Sequence, residues 1–251
     1  MSRILITIPT WNEAVVIERS LAVLRDAVAR HLGDRTVTIE VADNGSTDGT
    51  REIVRDVIGH GGAIHELPLR LIEMNGTGKG MAIRQSWERH LDDADILTFT
   101  DADLAADVSA LPSLIRPIEV GAADIVCGSR YLYGSRTYRS WMRMLASRTY
   151  RFLQHALLHL PVEDAQCGFK AVSVGAARTL LPLLAEDGWL FDTELLAFAS
   201  KKGVRIVEIP VDWIEHRDPR RRSAIGVFRN GWGFLSGLWR IRIRSQRNTA
   251  P

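Results

Sequence analysis

The chain has 251 residues, 46 % hydrophobic and 25 % charged, a balance that fits one sizeable α/β domain and not a disordered or fibrous chain. The opening Met1-Ser2-Arg3 is followed by a strand-like run of only six residues, Ile4 to Pro9, too short for a secretory leader, and no later apolar run nears the ~20 residues of a membrane span, so the protein reads as intracellular. Net charge is only +2, and the two cysteines, Cys127 and Cys167, lie far apart in apolar surroundings and suit buried thiols, with neither metal-ligand nor redox spacing.

In chain order, strands are predicted over Ile4 to Pro9, Thr36 to Ala42, Leu69 to Met74 and Ile96 to Thr100. Between them, helical spacing of apolar residues predicts helices over Glu13 to Arg30, Asp48 to Ile58 and Lys79 to Leu91. Repeated β-α-β units joined by short loops lead to a parallel, doubly wound sheet with right-handed crossovers. The alternation then loosens. It gives a strand over Asp124 to Gly128, an Arg-rich helix over Ser140 to His159 and a strand near Cys167 to Val174. Helices near Gly175 to Leu184 and Asp192 to Lys202 and a strand over Arg205 to Trp213 follow, with no internal repeat or low-complexity linker.

Each early strand runs into a polar loop: "PTWNEA" (Pro9 to Ala14), "DNGSTDGT" (Asp43 to Thr50), "NGTGKG" (Asn75 to Gly80) and "DADLA" (Asp101 to Ala105). In a parallel α/β sheet these loops open on one edge, where ligands bind. Asn12, Ser46 and Asp48 also suit helix caps, and the glycines suit turns. The Gly-rich loop fails as a Walker A motif, with Glu73 and Gly80 at its first glycine and hydroxyl positions, and it follows the third strand, whereas a dinucleotide fingerprint follows the first. The triplet Asp-Ala-Asp occurs twice, at Asp93 to Asp95 and Asp101 to Asp103, and with 30 acids in the chain one copy is expected by chance. The second copy lies at the carboxyl end of its strand, which favours Asp101 and Asp103 as the functional pair.

Eight segments, "IPTWNE", "VADNGSTDGT", "NGTGKGMA", "TDADL", "CGSRY", "DAQCGFK", "GWLFDTELL" and "VEIPVDW", together resemble glycosyltransferase family 2 enzymes of GT-A fold, in family order from Ile4 to Trp213. The resemblance is to the dolichol-phosphate and polyprenyl-phosphate mannosyltransferase and glucosyltransferase group. It implies a mostly parallel, Rossmann-like sheet flanked by helices, with a nucleotide-binding half (about 1–104), an acceptor half (about 105–223) and a basic amphipathic segment (224–251). It further implies transfer of a hexose, with inversion, from GDP-mannose or UDP-glucose to polyprenyl or dolichyl phosphate, assisted by Mg²⁺ or Mn²⁺. A soluble sugar, peptide or metabolite acceptor is the alternative, which would need a general base such as Asp192 or Glu194. A non-catalytic nucleotide-sugar binding subunit is a further one.

Carried over position by position, Pro9, Thr10, Asn12, Glu13, Asp43, Lys79, Asp101 and Ala102 match the nucleotide site. Asp101 and Asp103 match the metal ligands, with Asp103 the more direct. Arg130 matches an arginine near the reacting phosphates. Gln166, Asp192 and Glu194 fall on the donor-sugar or acceptor side, and Arg130, Arg217 and Arg222 suit the acceptor phosphate. Some relatives continue the metal motif as Asp-x-Asp-x-Gln, whereas this chain has Ala105 there, so water or Asp107 must complete the shell.

Charge is unevenly placed: five arginines and no acid from Arg136 to Arg151, and nine arginines against Asp218 from Arg217 to Arg247. No base-reading motif accompanies them, so no nucleic acid partner is expected. In the second run Phe228, Trp232, Phe234, Leu235, Leu238, Trp239, Ile241 and Ile243 interleave with the arginines, the composition of a segment lying on an anionic lipid surface. The expectation is a peripheral protein at the cytoplasmic membrane face, or one held by an integral partner. The glycines at 226, 231, 233 and 237 weaken a helix there, and "RIRIR" also suits a strand.

Overall fold

The structure, a computed structural model, describes residues 1–60, 67–74, 76–138, 141–214 and 231–247. The expected alternation is present as β1 (Arg3–Thr10), α1 (Ile17–His31), β2 (Thr36–Asp43), α2 (Thr50–His60), β3 (Leu69–Glu73), α3 (Lys79–Arg89) and β4 (Ile96–Thr100). The second half adds α4 (Leu111–Glu119), β5 (Ile125–Ser129), β6 (Thr137–Tyr138), α5 (Trp141–Leu158), β7 (Phe169–Ser173) and α6 (Val174–Leu180). It closes with α7 (Phe191–Lys201), β8 (Ile206–Pro210), β9 (Trp213–Ile214) and α8 (Gly231–Arg247).

Seven strands form one sheet in the order β3-β2-β1-β4-β7-β5-β8. β1, β2, β3 and β4 are parallel, and β5 pairs in parallel with β8. The sheet is not wholly parallel, because β7 runs antiparallel to both β4 and β5. Chain geometry explains the reversal. β7 starts beside the end of β4, with Thr100 opposite Phe169, and the Asp101 amide donates to the Gly168 carbonyl at 3.1 Å. The segment before β7 therefore enters from the carboxyl edge of β4 and descends into the sheet, which no parallel strand does. The single strand expected over 205–213 is also two, since past Pro210 the chain leaves β5 and Trp213–Ile214 pairs with β6 in a separate two-stranded ribbon.

Both faces of the sheet are covered, as a parallel sheet requires. Alternation along β1 sends Ile4, Ile6 and Ile8 to one core, with Leu21, Leu24 and Val28 of α1 and Leu114 of α4, and Leu5 to the other. The second core holds Trp87 of α3, Phe191 and Phe198 of α7, and Leu238 and Ile241 of α8. Its centre is aromatic: Trp87, Phe99 and Phe191 meet with ring centroids 5.9 to 6.4 Å apart. The "RIRIR" segment is thus helical, and tertiary burial outweighs the helix cost of its upstream glycines.

Leu238 is fully enclosed whereas its neighbour Trp239 is 54 % exposed. Leu238→Ala is expected to cost about 2–5 kcal/mol and Trp239→Ala within about 0.5 kcal/mol, read from urea unfolding midpoints. Equal, small effects of both would mean that α8 is not part of the core.

Candidate functional site

The loops after β1 and β2 are stapled together. Asn12 takes a left-handed φ of 57°, which its short amide tolerates, and its Oδ1 accepts from the Thr47 amide at 2.8 Å. The Asn12 amide donates to Ser46 Oγ, the Glu13 amide to Thr50 Oγ1 and the Ala14 amide to Asp48 Oδ2, at 2.9 to 3.1 Å. These bonds hold the 13–16 turn and delay α1 until Ile17. Asp48 also accepts from the amide of Thr50, the first residue of α2, at 3.1 Å.

Asp43, at the end of β2, is fully buried, and its Oδ2 accepts from the amides of Gly45 and Ser46 at 3.0 Å and from Arg51 Nε. Burial pushes this carboxyl up, but the hydrogen bonds from Ser46 and Arg51 outweigh it and leave the group below its ordinary value. Asp43 Oδ1, Thr10 Oγ1 and Asn44 Oδ1 are buried with no hydrogen-bond partner. Such orphans cost about 1–3 kcal/mol each, and three at adjoining strand ends suit a polar ligand. Pro9 and Thr10 lie beside Ala42 and Asp43 in the register, so the first-loop residues and Asp43 share one corner of the edge.

The third and fourth loops meet over a line of alternating charges. Lys79, the first residue of α3, places its ammonium 2.8 Å from Asp101 Oδ1 and 3.2 Å from Asp192 Oδ2. Fully buried Lys170 completes the line, 2.6 Å from Asp192 Oδ1. Both lysines lie near the Phe99 ring, at 5.0 and 5.5 Å, and Lys79 also lies 5.4 Å from the Trp189 ring. Burial opposes charge on Lys79, yet the two carboxylates raise its pKa above the ordinary value. Burial likewise raises Asp192, but the two ammonium groups bring it below the ordinary carboxylate value. Asp101 ends above its ordinary value, raised by burial, opposed by Lys79 and raised again by the adjoining Asp103.

Asp101 fits here only because residue 168 has no side chain. A Cβ on Gly168 would sit 2.0 Å from Asp101 Oδ2. The turn after Asp101 carries a second constraint, a left-handed Leu104 (φ 47°), where a branched side chain is strained. Asp103 Oδ1 accepts from the Ala105 amide at 3.2 Å. Ala102 and Ala105 are buried in the first core, and Asp107 caps the following turn by accepting from the Ser109 amide at 2.9 Å. Asp107 therefore has a local structural task, and position 105 faces packed apolar groups.

Arg130, after β5, is paired bidentately with Asp164, through Nε at 2.6 Å and Nη2 at 2.7 Å, and its guanidinium lies 4.8 Å from the Trp213 ring. Burial raises the Asp164 carboxyl, but Arg130 overrides it and holds the group below its ordinary value. Gln166 Nε2 donates to Thr193 Oγ1 at 2.7 Å, a hydroxyl that Gln154 of α5 also reaches at 2.7 Å. Glu194 stands apart from the charge line. Its Oε2 accepts from the amides of Ala185 and Glu186 at 2.9 and 2.8 Å, and its Oε1 pairs with Arg244 of α8. Arg217 and Arg222 lie outside the described residues.

The first Asp-Ala-Asp copy is at the opposite edge of the sheet. Asp93 accepts from His90 Nδ1 at 2.9 Å, and Asp95 pairs with the amide and guanidinium of Arg3, both at 2.8 Å. It pins a turn. Four residues whose tasks the sequence did not reveal are Arg51, one position past "VADNGSTDGT", and Asp164, Gly168 and Lys170. The last three sit in "DAQCGFK", where a lysine at an apolar strand position was the one visible sign.

The family model described as Glycosyl transferase family 2 matches residues 5–181. The chain belongs to this family. It is 29 % identical over 239 residues to glycosyltransferase AglD of Haloferax volcanii, covering 95 % of this chain and 37 % of that protein. It is 31 % identical over 227 residues to a dolichyl-phosphate beta-glucosyltransferase of Saccharomyces cerevisiae, covering 84 % of this chain and 66 % of the relative. It thus spans about a third and just under two thirds of these two relatives. An undecaprenyl-phosphate mannosyltransferase of Micrococcus luteus is 27 % identical over 251 residues, covering 96 % of this chain and 98 % of that one. Among solved structures, glucosyl-3-phosphoglycerate synthase from Mycobacterium tuberculosis with uridine diphosphate superposes with a TM-score of 0.66 at 22 % identity, covering 98 % of this chain and 80 % of that chain. The mannosyltransferase PcManGT from Pyrobaculum calidifontis, bound to GDP-Man and Mn²⁺, gives 0.57 at 18 %, covering 98 % and 73 %. These structural likenesses establish the GT-A fold for this member of the family.

Two outcomes test the geometry. Gly168→Ala is expected to push the Asp101 carboxylate from its seat and cut transferase turnover about 100-fold, the scale of a misplacement near 1 Å, with the far-ultraviolet circular dichroism unchanged. For Asp164, the folded-state pKa lies below the unfolded one, so the pair's stabilisation is fully present above the ordinary carboxylate pKa and is lost as pH falls through the depressed value. Asp164→Asn, which leaves Arg130 buried without its anion, is expected to cost about 3–5 kcal/mol at pH 7 and progressively less as pH falls below the ordinary carboxylate value, measured by urea unfolding across that range.

Proposed function

We propose that the protein transfers a hexose, mannose or glucose, from a nucleotide diphosphate sugar to a polyprenyl phosphate, with inversion at the anomeric carbon. The observation that carries this reading is the commitment of both carboxylates that a hydroxyl acceptor would need as a base. Asp192 is clamped between Lys170 and Lys79, and Glu194 between two backbone amides and Arg244. Asp192 also lies below its ordinary pKa, which makes it a poor proton acceptor. A phosphate monoester needs no such base, because its second pKa is about 6 and it is already anionic at neutral pH. The names of the yeast and Micrococcus relatives, each a transferase to a polyprenyl-type phosphate, support the same acceptor.

The nucleotide would lie along the corner formed by Pro9, Thr10, Asn12, Glu13 and Asp43, with its diphosphate towards Lys79, the Ala102 backbone and the Asp101–Asp103 turn. Asp101 and Asp103 suit a divalent cation, Mg²⁺ or Mn²⁺: they are adjoining hard oxygen donors, and a cation would offset the burial and the Asp103 charge that together raise the Asp101 carboxyl. When bound, the cation supplies charge neutralisation for the departing diphosphate. Among the described residues no cluster of three or more His, Cys, Asp or Glu side chains suits a metal ion, so substrate phosphate and water complete the shell. Lys79 holds Asp101 in place and faces the same charge. Arg130, fixed by Asp164, presents a preset cationic edge for the acceptor phosphate, with Arg217 and Arg222 as further contacts and Gln166 on the sugar side.

The lipid acceptor is met at a membrane surface. No helix among the described residues is long and apolar enough to cross a membrane. α8 nevertheless exposes Leu235 and Trp239 one turn apart, 38 % and 54 % accessible, beside the exposed Arg240, and α5 exposes Phe152 at 71 %. Aromatic and aliphatic groups among arginines suit the interface of an anionic leaflet. We place the protein at the cytoplasmic face, held by this contact or by an integral partner.

Purified protein given labelled GDP-mannose or UDP-glucose, Mg²⁺ and polyprenyl phosphate is expected to form a labelled lipid extractable into organic solvent. No lipid product with either donor rejects the proposal, and labelled soluble product favours the soluble-acceptor reading. Asp103→Ala is expected to abolish turnover while Asp93→Ala keeps it within about twofold, since Asp93 is a surface residue at the far edge. Trp239→Ala is expected to reduce sedimentation with anionic vesicles at unchanged stability.

A further inference from the structure

The C-terminal helix is tied to the Gly-rich loop through one intervening segment. The segment 183–187, between α6 and α7, is held from one side by α8. Arg244 Nη2 donates to the Leu183 carbonyl at 2.7 Å, and Arg244 Nη1 pairs with the fully buried Glu194. Glu194 in turn takes the amides of Ala185 and Glu186, while Arg240 meets the Glu186 carboxylate at 3.2 Å.

On its other side the same segment is the floor of the Gly-rich loop. A Cβ on Gly78 would lie 2.1 Å from the Asp187 carbonyl oxygen and one on Gly80 2.5 Å from that of Glu186. The Asp187 carbonyl accepts from the Met81 amide at 3.0 Å, in the first turn of α3, and Arg84 of the same helix meets the Asp187 carboxylate at 2.6 Å. Lys79 sits between these contacts, so its aim at Asp101 depends on where 183–187 rests. The glycines leave this interface in backbone contact, and a shift of the floor passes directly to the loop.

We propose that α8 is a positioning element of the donor site, with Arg244 acting through Glu194 and the 183–187 segment to set the Gly-rich loop and the Lys79–Asp101 pair. Arg244 touches no substrate and is a positioning residue. The inference rests on the transferase reading and adds that the donor site is assembled from both ends of the chain. It also gives the arginine spacing of α8 a task distinct from lipid contact, since Arg240 and Arg244, one turn apart, grip one segment.

The test uses the full chain, with hydrogen exchange followed by mass spectrometry and donor kinetics side by side. Arg244→Met is expected to speed amide exchange in 183–188 and 76–82 while β1 and β2 stay protected. The same variant is expected to lower kcat/KM for the donor about 10- to 100-fold, and Arg244→Lys, which keeps the charge opposite Glu194, to recover part of it. Faster exchange throughout the sheet would show that Arg244 supports global stability alone, and wild-type exchange at 76–82 with wild-type kcat/KM would show no coupling; either overturns the proposal. If Arg244→Met does not fold, Glu186→Gln removes only the outer grip by Arg240 and carries the same expectation in smaller measure, with no change at 76–82 overturning it. Wild-type protein that binds neither GDP-mannose nor UDP-glucose rejects the transferase reading itself, whereas normal donor binding with indifferent variants rejects only this inference.

Discussion

The structure depends on a line of four alternating charges, Lys170, Asp192, Lys79 and Asp101, laid across the carboxyl edge of the sheet. Removing an ion from water costs several kcal/mol even after relaxation, and the cost is offset only where opposite charges and hydrogen bonds meet it closely. Here each internal member has two partners of opposite sign, and the terminal Lys170 also donates to the Cys167 carbonyl. The line therefore fixes four elements, α3, β4, β7 and α7, relative to one another. Only Asp101 at its open end, beside Asp103, has capacity to spare for a ligand's charge.

This constraint accounts for the reversal of β7. A strand entering from the carboxyl edge brings Gly168 against Asp101 and places Lys170 two residues further down, on the face where Asp192 waits. A parallel strand in the same slot would begin at the opposite edge and deliver neither. The antiparallel neighbour is thus part of the site's construction, and the absence of a side chain at 168 matters as much as the charges around it.

The same economy appears in the loops. Asn12, Ser46 and Thr50 bind the first two loops to each other, and the glycines at 78 and 80 let the third rest on the 183–187 carbonyls. Because Glu194 and Asp192 leave α7 in opposite service, one towards α8 and one towards the charge line, a single helical turn joins the C-terminal helix to the carboxyl edge of the sheet. Both carboxylates are thereby committed to partners within the fold.

The sequence by itself determined the strands that carry the loops, because a buried parallel strand shows as an apolar run and its carboxyl end as the first polar residue after it. It also separated the two Asp-Ala-Asp copies, since strand direction alone sends one to each edge. It set out family membership, as eight ordered segments are far more specific than any one of them. Only the tertiary structure decided the rest. Arg130 and Asp164 stand 34 positions apart, and the partners Lys79 and Asp192 lie on opposite sides of the sequence midpoint, so no local pattern announces either pair. Likewise the glycines of α8 argue against a helix when only propensity is weighed, and the burial of Leu238 and Ile241 reverses that balance. Propensity and alternation act between neighbours in the chain, whereas partner choice among buried charges is made between segments that meet only once the sheet is closed.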